Sequence, residues 1–304
     1  MNSNKYPPII IMGMHRSGTS LVVRILEEAG LFIGKNRDQH DEARFFSRCN
    51  SWMLRQSGGG WDNPDLIEYL LCDPETYRVI TKCLRLSLRS LRIISYLGVK
   101  NYIRFRVLKD LDFPWGWKDP SNTFTLPFWL QLFPDAKVLY VYRNGVDVAH
   151  SCANRAKQRV NEVAQSLHEQ AGRLVPGVGR LPGLLTAGRC LSLRESFALW
   201  EKYTRKADEH IQSLPKHRTF CLGYEDLVEN SDSRIQDICD FCELIPTPQS
   251  MTNAKKMIDP SRVSAFARNP NLVQFYESVR ESSQMQRYSY DGMDPDLHVV
   301  GSLT

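Results

Sequence analysis

Two groups of residues in this sequence have the types and spacing needed to grip an oxyanion. The first is Gly13-Met14-His15-Arg16-Ser17-Gly18-Thr19-Ser20. Its glycines let the backbone turn and come close to a ligand, Ser17, Thr19 and Ser20 carry hydroxyls, and Arg16 carries a permanent positive charge, with His15 beside it. The second is Arg143-Asn144-Gly145-Val146-Asp147-Val148-Ala149-His150-Ser151. There an arginine fork and a serine hydroxyl eight residues on can hold one phosphate from two sides.

The flanking segments supply the elements that would position these groups. The apolar run Ile9–Met12 precedes the first group and reads as a buried strand; Leu21–Gly30 follows it with helical periodicity and stops at a glycine. A strand, a glycine-bounded loop and a helix make a phosphate cradle, because loop amides and the helix dipole point at one spot. Ala136–Tyr142 reads as a second buried strand and delivers Arg143 at its carboxyl end, where open α/β sheets bind ligands. Ser151 falls one helical turn after Asp147, on the same face. Further strands are expected at Arg218–Leu222 and as a short one ending in the stretch Pro114–Pro120, with another short one at Leu31–Ile33. Helices are expected over Glu42–Gln56, Pro74–Ile103, Asn122–Phe133, Val146 onward, Ser192–Leu214 and, after the segment Gly223–Leu227, on to Leu244. The alternation predicts an α/β protein: a P-loop-like three-layer domain with a mostly parallel central sheet flanked by helices. The chain reads as one domain, with residues 172–190 as a Gly/Pro-rich lid or loop and a loosely held polar tail after about residue 282.

The loop departs from the P-loop of nucleotide hydrolases, G-x-x-x-x-G-K-[ST], because Thr19 stands where the lysine belongs. With its Arg16-Ser17-Gly18-Thr19-Ser20 core it resembles the 5′-phosphosulfate loop of sulfotransferases that use 3′-phosphoadenosine 5′-phosphosulfate (PAPS). Arg143 to Ser151 resembles that family's 3′-phosphate motif, R-x-x-x-D-V-A-x-S, position for position. Tyr224-Glu225-Asp226-Leu227 is similar to its Y-E-D-[LM] segment, and Lys118-Asp119-Pro120 to its K-x-P segment. The resemblance spans about residues 7–245 and is closest to the bacterial branch related to carbohydrate and tyrosyl-protein sulfotransferases. Arg16 replaces the lysine of the cytosolic small-molecule branch, and no histidine accompanies Lys118.

The resemblance implies transfer of a sulfuryl group from PAPS to an acceptor hydroxyl, with adenosine 3′,5′-bisphosphate as product. It implies that Gly13, His15, Arg16, Ser17, Gly18, Thr19, Ser20, Arg143, Ser151 and Tyr224 hold the donor, with Tyr224 near the adenine. Arg16 and Lys118 would stabilise the charge that develops, and a carbohydrate or glycolipid hydroxyl is the expected acceptor. For the base, related enzymes place a glutamate after the first helix, which points to Glu42 in Glu42-Ala43-Arg44-Phe45-Phe46. As a helix-start residue Glu42 also has a structural reading, offsetting the helix dipole. His40 is the other candidate base and needs no shift to work near neutrality, whereas Glu42 needs burial. Asp38, Asp41 and Asp119 are further acids in reach. A nucleotide-dependent kinase, disfavoured by the missing lysine, and a non-catalytic binder of nucleotides or sulfated glycans are the alternatives.

Composition bounds the rest. The chain has 304 residues, 42% hydrophobic and 24% charged, with a formal net charge of +5, which is ordinary for a soluble globular protein. From residue 78 to 109 there are nine Lys or Arg and no Asp or Glu. Residues 78, 82, 85, 89 and 92 recur at helical spacing, giving a basic face suited to anionic lipid or an acidic glycan if it is not simply solvated. No motif points to nucleic acid or to a metal. Cys239 and Cys242 form a C-x-x-C without a second pair, so all eight cysteines read as reduced thiols and these two as buried helix residues. With no secretory signal and no apolar run of membrane length, the expected location is the cytoplasm.

Overall fold

In the computed structural model, residues 6–169 and 188–293 are described, with no side-chain account for residues 166–169. Two compact units are distinguished, residues 1–143 with 203–263 and residues 144–202 with 264–304.

The first unit is built on a parallel sheet of four strands: β1 (Ile9–Met12), β2 (Gly116–Lys118), β3 (Lys137–Tyr142) and β4 (Thr219–Gly223), in the order β2-β1-β3-β4. Ile11 lies beside Lys118, Met12 beside Tyr140 and Tyr142 beside Gly223. All four carboxyl ends therefore share one edge. Every residue of β1 is buried, as expected of a strand covered on both faces. On one face Ile9, Ile11, Leu139, Val141 and Leu222 pack with Val22, Val23 and Leu26 of α1 (Thr19–Glu28) and with Ile235 and Ile238 further along the chain. The opposite face carries Trp117, stacked on Phe46 of α2 (Arg44–Gln56) with ring centroids 4.0 Å apart. Helices thus cover both sides of the sheet, the α/β architecture expected from the alternation.

Several boundaries differ from the sequence reading, for local reasons. The helix expected from Glu42 starts at Arg44, because the Asp38 carboxylate accepts the N–H groups of His40 and Glu42 and closes a turn over 38–42. Leu31–Ile33 contributes one bridge, Phe32 with Trp115, in place of a strand. After α3 (Glu68–Cys72), the long helix expected over 74–103 is two, α4 (Pro74–Arg89) and α5 (Ile94–Phe105). Ser90 is extended between them and its hydroxyl accepts from Arg92 N–H. Gly98, at φ 75°, interrupts α5. The chain then passes through α6 (Asn122–Leu132).

The second unit contains α7 (Gly145–Glu169) and the start of α8 (Leu193–Ser213). Asn144 opens α7, its side-chain oxygen accepting the N–H groups of Val146 and Asp147. The segment of residues 224–227 forms a short helix of its own, α9 (Tyr224–Glu229), and the helix expected from there to Leu244 is α10 (Ser231–Phe241); both belong to the first unit. Cys239 and Cys242 are buried there, and burial raises both thiols, that of Cys239 to about 11. Three helices follow, α11 (Pro248–Lys256), α12 (Pro270–Val279) and α13 (Ser283–Arg287), the last with Met285 fully buried. Of the expected lid, residues 172–187 lie outside the described residues, as does the tail from residue 294. No helix among the described residues is long and apolar enough to cross a membrane.

Candidate active site

The loop between β1 and α1 needs both of its glycines. Gly13 has φ 143°, and a Cβ there would sit 2.1 Å from the carbonyl oxygen of Val141 on β3. Gly18 has φ 89°, and a Cβ there would meet the Tyr224 ring at 2.4 Å. Arg16 is also left-handed, at φ 72°, and exposed. Ser17 is buried, and its hydroxyl makes no hydrogen bond with any described residue. Thr19 is buried at the first position of α1, whose N-terminus has no side-chain cap for its first amides. The His15 ring lies 4.4 Å from that of Trp61, and the Tyr203 hydroxyl donates to the Trp61 carbonyl at 2.7 Å.

Arg143 comes to the same loop from the end of β3. Its guanidinium donates to the carbonyls of Arg16 at 3.4 Å and Arg262 at 2.5 Å, and lies 4.8 Å above the Tyr224 ring. Arg16, Gly18, Arg143 and Tyr224 therefore converge, although they are up to two hundred residues apart in sequence. Ser151 lies on α7 in the second unit, where the Asp147 carboxylate accepts the N–H groups of Ala265 and Phe266. Asp147 thus anchors a neighbouring loop.

The second half of the site is a buried ion pair at the end of β2. Lys118 Nζ donates to Glu42 Oε1 at 3.2 Å, with the lysine side chain 2% and the glutamate side chain 13% exposed. Lys118 also donates to the backbone oxygen of His40, which accepts from the Ser20 hydroxyl at 2.8 Å as well. The His40 carbonyl thereby ties the start of α1 to Lys118. The residue 36–44 segment folds back on itself through the Arg37–Ala43 bridge, which carries Glu42 in toward β2. Burial first, and the neighbouring Asp119 charge second, push the Glu42 carboxyl up to about 8, with Lys118 working in the opposite direction. Asp119 is itself raised, by burial.

Sequence reasoning missed the residue that holds Asp119. Asn50 is fully buried on α2; its amide donates to Asp119 Oδ2 at 2.9 Å and Asn122 Oδ1 at 2.8 Å. Its oxygen accepts from Thr125 and from the Trp129 indole, each at 2.8 Å. The available signal was a lone amide on the apolar stripe of Phe46, Asn50 and Met53, since a polar group there must be satisfied. Asn50→Ala leaves a buried carboxylate and two donors short of partners. A stability loss of about 2–4 kcal/mol is expected from the denaturant midpoint; a loss under about 0.5 kcal/mol would show that the network carries no weight.

The strand ends of this α/β chain thus gather the glycine loop, Arg143 and a buried lysine–glutamate pair. The chain belongs to the sulfotransferase family, whose sequence model matches residues 7–248. The sulfotransferase domain of the Synechococcus PCC 7002 olefin synthase is similar over 96% of this chain and 97% of its own, with 17% identity and a TM-score of 0.48. A sulfotransferase domain from the curacin biosynthetic pathway has 17% identity over 94% and 96% of the two chains, TM-score 0.46. A Mycobacterium tuberculosis H37Rv sulfotransferase has 15% identity over 83% and 71%, TM-score 0.40. None of the curated proteins matches.

Proposed function

We propose that the protein transfers a sulfuryl group from PAPS to an acceptor hydroxyl, of a carbohydrate or glycolipid, with Glu42 as the general base. The observation that carries this reading is the Lys118–Glu42 pair tied through the His40 carbonyl to Ser20, where the oxyanion loop runs into α1. The buried, unpartnered Ser17 hydroxyl and the free amides of α1 fit an anionic donor.

Bound there, the donor would supply an activated sulfuryl group on a phosphate leaving group. Arg16, the loop amides and Thr19 stabilise the negative charge that grows on that phosphate. Lys118 neutralises charge at the oxygens between donor and acceptor. Glu42 takes the proton of the acceptor hydroxyl as its oxygen forms a bond to sulfur and the sulfur–phosphate oxygen bond breaks. Positioning supplies much of the rate, as in phosphoryl transfer. A carboxyl raised toward neutrality is a far better base than an ordinary one, and it needs Lys118 close by to hold it once ionised.

Arg143 and Ser151 take the donor's 3′-phosphate and Tyr224 packs by its adenine. Arg143→Ala is expected to weaken adenosine 3′,5′-bisphosphate at least about tenfold, the worth of a charge-assisted contact of roughly 1.5–3 kcal/mol. Unchanged affinity in calorimetric titration would remove Arg143 from the donor site. Thermal shifts that favour adenosine 3′,5′-bisphosphate over ADP and ATP separate this reading from a kinase. Transfer of labelled sulfate from PAPS into an acceptor pool separates it from a binder without activity.

A further inference from the structure

A second surface of the first unit carries features that the transfer reaction does not use. Along α4, Arg78, Lys82, Arg85 and Arg89 stand on one side and, with Tyr77, Thr81, Leu86 and Gln131, line a surface cavity of about 470 Å³. Arg78 pairs with Glu75. Lys82, Arg85 and Arg89 are exposed and make no hydrogen bond or ion pair with any described residue. The Thr81 hydroxyl, buried in the cavity wall, likewise makes no hydrogen bond with a described residue. Beside this cationic stripe stand apolar side chains in water: Val79 is 48%, Leu86 61% and Leu91 70% exposed.

The combination selects among partners. Unpaired cations spread over about 10 Å of helix, from residue 82 to 89, suit a field of phosphates. A soluble polyanion would satisfy them but gives Val79, Leu86 and Leu91 nothing to gain. A bilayer gives both: headgroup phosphates for Lys82, Arg85 and Arg89, and the headgroup–acyl boundary for the apolar tips. The cavity between α4 and the end of α6 is large enough for part of a headgroup, whose oxygens would also give the Thr81 hydroxyl an acceptor. Gln131, on its far wall, is nine residues along α6 from Asn122, about 14 Å from the end that adjoins Asp119.

We propose that the α4 face is a docking surface for anionic lipid, on which the protein sits peripherally. Docking puts the protein on a membrane without occupying the donor loop, and its readout is independent of whether PAPS is the donor.

The test is co-sedimentation with vesicles of equimolar phosphatidylglycerol and phosphatidylcholine against vesicles of phosphatidylcholine alone. Binding is expected only to the anionic vesicles, falling as salt rises. The triple variant K82E/R85E/R89E should weaken it roughly a hundredfold or more, since each cation near such a surface contributes about fivefold. K82Q/R85Q/R89Q should fall between it and wild type. Leu86→Ser with Leu91→Ser should remove the part of binding that survives at high salt. A melting temperature unchanged in every variant shows that the fold is intact. Absence of vesicle binding at low salt, equal binding to neutral vesicles, or indifference to the charge variants would overturn the proposal. So would a soluble polyanion such as heparin that binds the stripe while vesicles do not, or serine variants that bind as wild type does at all salt concentrations.

Discussion

Glu42→Gln is expected to keep its affinity for adenosine 3′,5′-bisphosphate and to lose about 10²–10⁴-fold in turnover, the contribution of one positioned base. The glutamine retains a carbonyl oxygen for Lys118, so the pocket should keep its shape while losing its ability to take a proton. The pH dependence sharpens the test. Glu42 is raised to about 8 by burial and by Asp119, and a base works only when ionised. Activity should therefore climb with pH across neutrality and level off above about 8. An ordinary carboxylate base would already be level above about 6. Asp119→Asn removes the neighbouring negative charge, so the acid limb should move to lower pH. Were the rise to stay in place in Asp119→Asn and Glu42→Gln to turn over normally, the role would pass to another group. Loss in His40→Ala would then name the histidine.

The second large effect concerns stability. Gly13→Ala is expected to cost about 3 kcal/mol or more and to lower the melting temperature by at least about 6 °C. Two penalties add at that position: a backbone dihedral that side chains rarely adopt, and a Cβ 2.1 Å from the Val141 carbonyl oxygen, an atom fixed within the sheet. Gly30→Ala separates the two. Gly30 has φ 104°, with nothing within 4 Å of an added Cβ, so it should cost only the dihedral term, about 1 kcal/mol. Equal melting temperatures for the two variants would mean that the contact with β3 yields easily and that the loop is looser than its geometry implies.

Much of the framework was legible in the sequence because its signals are local. Ile9–Met12 and Ala136–Tyr142 are unbroken apolar runs, and parallel strands buried on both faces are written that way. The glycine spacing of the loop and the pair Arg143 and Ser151 are also readable in one dimension. Glu42 was in view only as a family likeness and as a helix start. Its environment depends on Asp38 closing a turn with two backbone N–H groups, on Lys118 from a strand seventy-six residues later and on Asp119. The helix break at Ser90 escaped because apolar periodicity continues through it, while one hydroxyl captures the next turn's N–H. Asn50 escaped for a related reason. An amide in an apolar stripe announces that partners exist without saying that they lie on α6 and beside β2.

The sheet order has a kinetic side. The glycine loop, Lys118, Arg143 and Tyr224 stand at the ends of four parallel strands that begin at residues 9, 116, 137 and 219. Residues 116–143 bring two of them, Lys118 and Arg143, but no short-range piece of this chain holds more than half. Strands so distant in sequence pair late and slowly, because long loops must close before any pairing rewards them. The site is accordingly absent from every partly assembled form of the sheet and appears only with the last strand. A nucleotide that binds it recognises the finished chain alone, so during refolding its capture should lag behind the return of helical signal and coincide with completion of β4. Once present at well above its dissociation constant, it draws the slow equilibrium toward the native state by mass action.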